Sequence, residues 1–522
     1  MLAGRPEGRG APPISDSTLS RKSSTTPEPE YPRAACHSFL PPTPNQTVMN
    51  ARFSTPGRCI IGAALTLATA GLLCTAETNY PTLPWPDRPL SLSECLDIAL
   101  DQNAAVLKSR KDIEAAHGLS IQTRAIVIPK LQASGDYSIV EDSAVERLEV
   151  PPNPLFPEGV PVIDPGTQRW TAGVRLVQSI FEGGRMASSL RTARLLRDEA
   201  LARHQAVLAD TATEVRVAYY NVLLAEKEIL VSEASVELLT RELEDNQRRF
   251  NAGTVPRFNV LRAEVELANA RPRVSRARNA YRITKNQLVN LLGYNVPKDI
   301  WEDIPLRLSG TLEAPRFALG VPEAIAQALE RRPELAALRF AEQLRREGVV
   351  SARAGYLPRL QGYVGYGARK SNFSSDVGDE VHGWEAGVLA TWSLFDGALT
   401  RGKVAEARAL LEKTEVEADD LARQIELEVR VAYSTLVEAW EVLESQKKVV
   451  EQAEEALRLA RARADAGTGT QLDVLSAQTA LTDARTTQIR AQREYAVALA
   501  RLERAIGAYV PEVASRPNSP PK

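Results

Sequence analysis

Ser445 and Lys448 stand three residues apart, the spacing at which a lysine can serve a serine nucleophile as its base. They lie on a stretch that reads as one long helix with no second motif beside it, so the pair reads as part of a solvated helix face. Gly362, Gly365 and Gly367 form a glycine-rich run, but its order is GxxGxG inside a strand-like stretch. A dinucleotide fingerprint needs GxGxxG between a strand and a helix. Asp376, Asp379 and Glu380 offer carboxylates to a cation, yet they read as a solvated loop between two strand-like stretches. Cys95 sits on an apolar helix and reads as a small buried residue. The histidines, His37, His117, His204 and His382, are scattered, and four cysteines in 522 residues make neither a disulfide framework nor a multi-zinc set. The 64 Lys and Arg against 66 Asp and Glu give a formal net charge of −2, which excludes a generalised nucleic-acid binder. The expectation is a protein that is not an enzyme, with no catalytic residue, no metal and no cofactor.

The N-terminus reads as an export signal. Residues 1–48 hold nine of the 33 prolines and are expected to be disordered or a misassigned start. From Met49 the chain carries a pattern of export: Arg52 and Arg58, an apolar run from Ile60 to Leu73, and the small-x-small site Cys74-Thr75-Ala76. Residues 49–76 are therefore expected to be a signal peptide cleaved after Ala76. Lipidation of Cys74 is the competing reading, and Leu73 beside it fits a lipobox poorly.

Beyond the leader the chain is a duplication. Leu92-Ser93-Glu94 through Leu100 reappears as Val321-Pro322-Glu323 through Leu329, and Ile128–Leu131 as Leu357–Leu360, both at an offset of 229. Trp170–Phe181, Val215–Tyr219, Ala252-Gly253-Thr254 and Gly293 reappear 214 residues later. The first copy thus carries a longer, proline-rich insert between Tyr137 and Trp170, read as a loop. The organisation expected is a linker at 77–89, a first repeat at 90–294, an inter-repeat linker at 295–318, a second repeat at 319–508 and a disordered tail at 509–522.

Each copy reads as a helix ending at Pro129 or Pro358, a strand–loop–strand, a very long helix, a Gly-Thr turn and another long helix. About 68 helical residues span roughly 100 Å. Val215, Ala218, Val222, Ala225, Ile229, Ser232, Val236 and Leu239 alternate by three and four, as do Val429, Ala432, Leu436, Ala439, Leu443, Gln446, Val450 and Ala453. That is the seam of an antiparallel coiled coil. Pro272 predicts a local kink. The strands are expected at Leu131–Val140, Trp170–Phe181, Leu360–Lys370 and Trp384–Phe395. Trp170, Val174 and Leu176 share one face, as do Trp384, Val388 and Trp392, opposite Arg175, Ser179, Glu385 and Ser393. Alternation over about 11 residues fits a tilted transmembrane strand. Four strands cannot close a barrel, so several chains would have to share one.

In this duplicated order, with Phe181-Glu182-Gly183-Gly184-Arg185 and Phe395-Asp396-Gly397 at the strand-to-helix junctions and Ala466-Gly467-Thr468-Gly469-Thr470-Gln471-Leu472-Asp473-Val474-Leu475 after the second long helix, the chain resembles the TolC-type outer-membrane efflux proteins over roughly residues 90–508. The resemblance implies a mostly α fold with a small transmembrane β part. Its form would be a homotrimer with a 12-stranded β-barrel in the outer membrane, continuous with an α-helical barrel that crosses the periplasm. It implies an exit duct of a tripartite efflux or type I secretion system, working passively. The partners would be a periplasmic adaptor, an inner-membrane efflux pump or ABC exporter, and outer-membrane lipid, with no nucleic acid. Trp170, Val174, Leu176, Trp384, Val388 and Trp392 would face lipid, and Pro129, Gly183, Pro358 and Gly397 would mark the junctions. Gly253, Thr254, Gly467, Thr468 and Gly469 would be adaptor-facing hairpin tips. Asp473 would sit at the periplasmic aperture, with Ser476 and Asn259. Three Asp473 carboxylates would form an anionic ring, while the bland reading of Asp473 is an acid at a helix N-terminus. Ser476, Phe258, Asn259, Ala464 and Gly469 depart from the family's ion-pair lock, which is therefore not carried over. The other architecture open to these residues is a periplasmic coiled-coil adaptor or scaffold without a pore.

Overall fold

Ser91 starts the first helix, α1 (Leu92–Gln102). Its hydroxyl accepts from the Glu94 N–H, and the Glu94 carboxylate accepts from the Ser91 N–H at 2.8 Å, which satisfies two helix-end donors reciprocally. Asn103 ends α1 and begins α2 (Ala104–Arg124), its side chain accepting from the Ala105 N–H at 2.8 Å. The second copy makes the same corner differently. Its α5 (Val321–Arg331) and α6 (Pro333–Arg353) carry proline in their first turns, where the missing N–H costs no helical bond. The computed structural model describes residues 88–295 and 304–508, apart from 151–153, 155, 156, 158 and 159. The leader expected at 1–48 and 49–76, Cys74 and the tail at 509–522 lie outside the described residues.

After α2 and α6 the chain passes a single 3-10 turn and a proline, Pro129 or Pro358, and becomes extended. The strands β1 (Lys130–Ile139), β4 (Gln168–Glu182), β5 (Arg359–Lys370) and β6 (Glu380–Thr391) form one antiparallel sheet in the order β1-β4-β5-β6. The insert expected as a loop holds a two-stranded ribbon, β2 (Leu148–Val150) with β3 (Val160–Ile163), because β-branched residues flank its prolines. The last strand differs from expectation: β6 begins and ends four residues earlier, and Trp392 to Phe395 lie beyond it. Thr391 pairs with Arg359, the first residue of β5, and the preceding Pro358 has no N–H to extend the ladder. Trp392 is therefore not a strand residue. It is exposed, and its indole N–H donates to the Tyr356 carbonyl at 3.1 Å.

From the sheet the chain enters α3 (Arg185–Asn251) or α7 (Leu399–Asp465), 67 residues each. At 1.5 Å per residue each is about 100 Å long. Each turns back into a 36-residue helix, α4 (Arg257–Leu292) or α8 (Gln471–Ile506). α4 carries Pro272 without ending there. Every seam residue expected in α3 and α7 is buried or half-buried. Each copy has its own core at the level of α1 or α5. In the first, Cys95, Leu96 and Ala99 pack on Val215, Tyr219 and Val222 of α3 and on Leu288 and Leu292 of α4. In the second, Ala324 and Ala328 pack on Ile425, Val429 and Leu436 of α7 and on Tyr495, Leu502 and Ile506 of α8. Burial pushes the Cys95 thiol up to about 12, so it behaves as a small apolar side chain.

The seams within each hairpin are apolar, whereas much of the contact between the hairpins is polar. Down the α3–α8 interface Arg504 meets Asp210, Arg216 meets Glu503, Arg493 meets Asn221 and Arg490 meets Glu228. Leu475 interrupts this ladder, packing with Leu239, Leu267 and Ala270. Arg504 also binds Glu334 of α6, which Arg332 binds through both carboxylate oxygens while reaching Glu428 of α7. Burial raises the Glu334 carboxyl, but the hydrogen bonds from the two arginines outweigh it and hold the group below its ordinary range.

Candidate channel surfaces: the sheet and the hairpin tips

Strand register sorts the sheet into two unlike faces. One carries Leu131, Tyr137 and Ile139 of β1, Trp170, Val174 and Leu176 of β4, Val364 and Tyr366 of β5, and Trp384 and Val388 of β6. All but the half-buried Trp170 are exposed large apolar groups, up to 77% for Trp384. The opposite face carries Gln132, Ser134, Asp136, Thr171, Arg175, Gln361 and Glu385. Arg175 and Glu385 pair across the intervening β5 because the residue between them is Gly365; the Arg175 guanidinium also lies 4.9 Å from the Tyr363 ring centroid. An apolar sheet face of this extent is a partner or membrane surface, not a water surface. No described helix is long and apolar enough to cross a membrane.

The junctions fix how the sheet meets the helices. Gly183 has φ 61°, and a Cβ there would come within 2.8 Å of the Ala354 carbonyl, so both backbone and space demand glycine. Its counterpart Gly397 also has positive φ, but open space around it. Next to it Ala398 has φ 69°, the only positive-φ non-glycine among the described residues, where the first copy has Gly184. Pro129 and Pro358 stand directly before β1 and β5.

At the other end of the hairpins the two turns share one plan. Gly253 and Gly467 take positive φ, and Thr254 and Thr468 return N–H and hydroxyl bonds to the carbonyls of Arg249 and Arg463. The helix starts differ. Thr470 and Asp473 form a capping box: Asp473 Oδ2 accepts from the Thr470 N–H at 2.9 Å and its hydroxyl at 2.7 Å. The first copy has Pro256 at this point and no side-chain cap. The Thr470 backbone and hydroxyl bonds hold the Asp473 carboxyl below its ordinary range. Asp473 and Ser476 are exposed on the first turns of α8, and Asn259 is half-buried on the first turn of α4. No hydrogen bond joins these three among the described residues of one chain. Between the tips run links that the sequence pattern does not announce: Arg249, which its own helix neighbour Asp245 holds at 2.9 Å, bonds Asp465 at 3.0 Å, and Gln471 donates to Glu242. The signal for them is an asymmetry between copies, Asp465 standing where the first copy has Asn251.

The other chemical candidates stay apart. Ser445 and Lys448 are exposed on α7, and Lys447 pairs with Glu444. In the β5–β6 loop Asp376 accepts from the Gly378 N–H at 2.9 Å, an ordinary turn bond. The family model of outer membrane efflux proteins matches residues 95–294 and 324–508, which is both copies. The chain belongs to the outer membrane efflux protein family. As an outer membrane efflux protein it lies in the outer membrane of a Gram-negative-type cell and extends into the periplasm, forming an exit channel. The family is one of channels and not an enzyme class. The alkaline protease secretion protein AprF of Pseudomonas aeruginosa is 27% identical over 308 residues, 59% of this chain and 63% of that protein, just under two thirds of its length. The outer membrane protein TolC of Vibrio cholerae is 22% identical over 80% of this chain and 90% of its own. Among solved structures, the CmeC outer membrane channel of Campylobacter jejuni superposes with a TM-score of 0.66 at 17% identity, covering 80% of this chain and 85% of that one; at that identity the likeness is one of fold.

Proposed function

We propose that three copies of this chain close one twelve-stranded barrel in the outer membrane and one helical tunnel beneath it, and that solutes delivered by a periplasmic adaptor and an inner-membrane pump or exporter leave through it. The observation that carries this reading is the open, two-faced sheet. Its edges β1 and β6 run antiparallel to each other and are both unpaired among the described residues, so β6 of one copy can pair with β1 of the next. The apolar face would meet lipid through Trp170, Val174, Leu176, Trp384 and Val388, and the polar face would line the lumen. The helices support the same closure: Leu427, Val431, Val442 and Val449 stand exposed along α7, a second seam for a neighbouring copy. A scaffold without a pore leaves both the sheet face and the α7 stripe in water.

The tips Gly253, Thr254, Gly467, Thr468 and Gly469 would meet the adaptor, and spreading of the tip helices would open the duct. Apolar seams hold each hairpin together, while near the tips the hairpins meet through the water-exchangeable Arg249–Asp465 and Gln471–Glu242 links and the single Leu475 contact, so the hairpins can part without unfolding by exposing that one side chain. Asp473 would ring the aperture with negative charge. Purified particles should have a mass near three protomers and conduct in planar bilayers. A monomeric, non-conducting particle would refute the shared barrel. Asp473→Asn keeps an acceptor for the cap but removes the charge, and should weaken block by multivalent cations; unchanged block removes Asp473 from the aperture.

A further inference from the structure

We propose that the strand-lined segment of the duct is a cationic filter that favours anionic solutes, set chiefly by Arg169, Arg359 and Arg369. The inference rests on the reading that the polar face of the sheet lines the lumen. Register places Lys130, Arg169, Arg175, Arg359 and Arg369 on that face, against Asp136, Glu182 and Glu385. The excess is two positive charges per copy, six in a ring of three. Arg175 and Glu385 neutralise each other. Glu182 is buried and accepts from the Ser179 hydroxyl at 2.7 Å. Lys130, Arg169, Arg359 and Arg369 are exposed and make no ion pair with a described residue.

The positions matter as much as the count. Lys130 and Arg359 begin their strands at the helical end of the sheet, and Arg169 and Arg369 stand near the loop end. Between them Ser134, Gly173, Gly367 and Gly383 form one cross-strand row with almost no side chain. The wall is bare there beside Arg369, which stands in the next row, while on the helical side the neighbouring Arg175 is held by Glu385 and Tyr363. An anion leaving the tunnel would meet two tiers of cations, separated by the neutralised Arg175–Glu385 pair and the bare row. The loops beyond carry acids such as Glu141, Asp142 and Asp379. The selectivity of the whole channel therefore sums several segments, and the change produced by substitution is the readout that isolates this one.

The test is the reversal potential of reconstituted protein under a KCl gradient. The triple variant R169Q/R359Q/R369Q should lower the chloride-to-potassium permeability ratio by about twofold or more at 0.1 M salt and by far less at 1 M, where the Debye length falls to about 3 Å. Hexacyanoferrate added on the barrel side should block the parent channel more strongly than the variant. The set R169K/R359K/R369K retains the charges and should retain the parental ratio. A conducting triple variant with an unchanged ratio overturns the filter while leaving the duct intact; so does an equal shift in the lysine set, which would make shape and not charge the cause. R169Q and R369Q alone, each shifting the ratio in the same direction, keep the test open should the triple variant fail to assemble; no shift in either refutes the filter. Absence of conductance in the parent overturns the duct reading, and the filter with it.

Discussion

Replacing Arg504 with Met separates the polar ladder from the apolar seams. The Arg504 side chain is 9% exposed and joins Asp210 of α3 to Glu334 of α6, so a single residue of α8 touches both copies. Removing one partner of a fully buried pair costs about 3–5 kcal/mol, whereas an exposed pair is worth at most about 1. Two features reduce the larger figure. Asp210 is 58% exposed and returns to water, and Glu334 keeps Arg332. In addition, Arg504 Nη1 is already buried without a partner, a cost of about 1–3 kcal/mol that the substitution removes. The net loss should be about 2 kcal/mol. If the network forms after the unfolding barrier, the detergent-purified particle should unfold in urea about 30-fold faster, followed by far-ultraviolet circular dichroism. The cycle with Glu334→Gln should show coupling of about 1 kcal/mol, because the two residues touch. A change under about threefold, with no coupling, would refute the view that this cluster holds the copies together and would leave the rest of the ladder, the Leu475 contact and the β4–β5 pairing to join them.

Three further outcomes rest on local geometry. Glu334 has its folded carboxyl below the unfolded value of 4.5, so its contribution is complete above 4.5 and is lost as pH falls through the folded value; Glu334→Gln should flatten the acid limb of a stability–pH profile below 4.5 and leave the alkaline limb unchanged. Gly183→Ala meets both a positive φ and the Ala354 carbonyl and should cost well over the roughly 1–2 kcal/mol of left-handed strain that Gly397→Ala incurs in open space, a difference readable in thermal melts. Ala398→Gly relieves that same strain but loosens the unfolded chain, so it should stabilise by up to about 1 kcal/mol; destabilisation would mean that the alanine methyl is packed.

The duplication, the hairpins and the amphipathic strands were legible because each rests on a periodicity: two for the sheet, three and four for the seams, and a fixed offset for the copies. The end of β6 was not, because the alternation of Trp384 to Leu394 continues past the residue at which Pro358 stops the ladder on the neighbouring strand. Position in a sheet depends on the partner, and the partner lies outside the local pattern. The ribbon in the insert escaped for the opposite reason: its prolines announce a loop, and three- and four-residue strands leave too short a pattern. Asp473 was visible as a residue type, and both readings of it rested on place in the helix; the capping box with Thr470 is local geometry that a Thr-x-x-Asp spacing already contained. The Arg249–Asp465 and Arg504–Glu334 contacts join residues 216 and 170 positions apart. No periodicity encodes such pairs, and only the departure of one copy from the other at those sites hinted at them.

The open edges of the sheet say something about counting. Each added copy covers one free edge and presents another of the same kind, so edge chemistry alone can specify direction but never number. A ring ends only when accumulated curvature brings the last β6 back to the first β1. The one register irregularity in the four-stranded sheet falls between Ser179 and Phe181 of β4, where Ile180 is the extra residue. A bulge bends its strand and sharpens the local twist. Subunit number would then be stored in the bend of each sheet and not at its margins, and deletion of Ile180, with every edge residue intact, would be the change that lets the ring miscount.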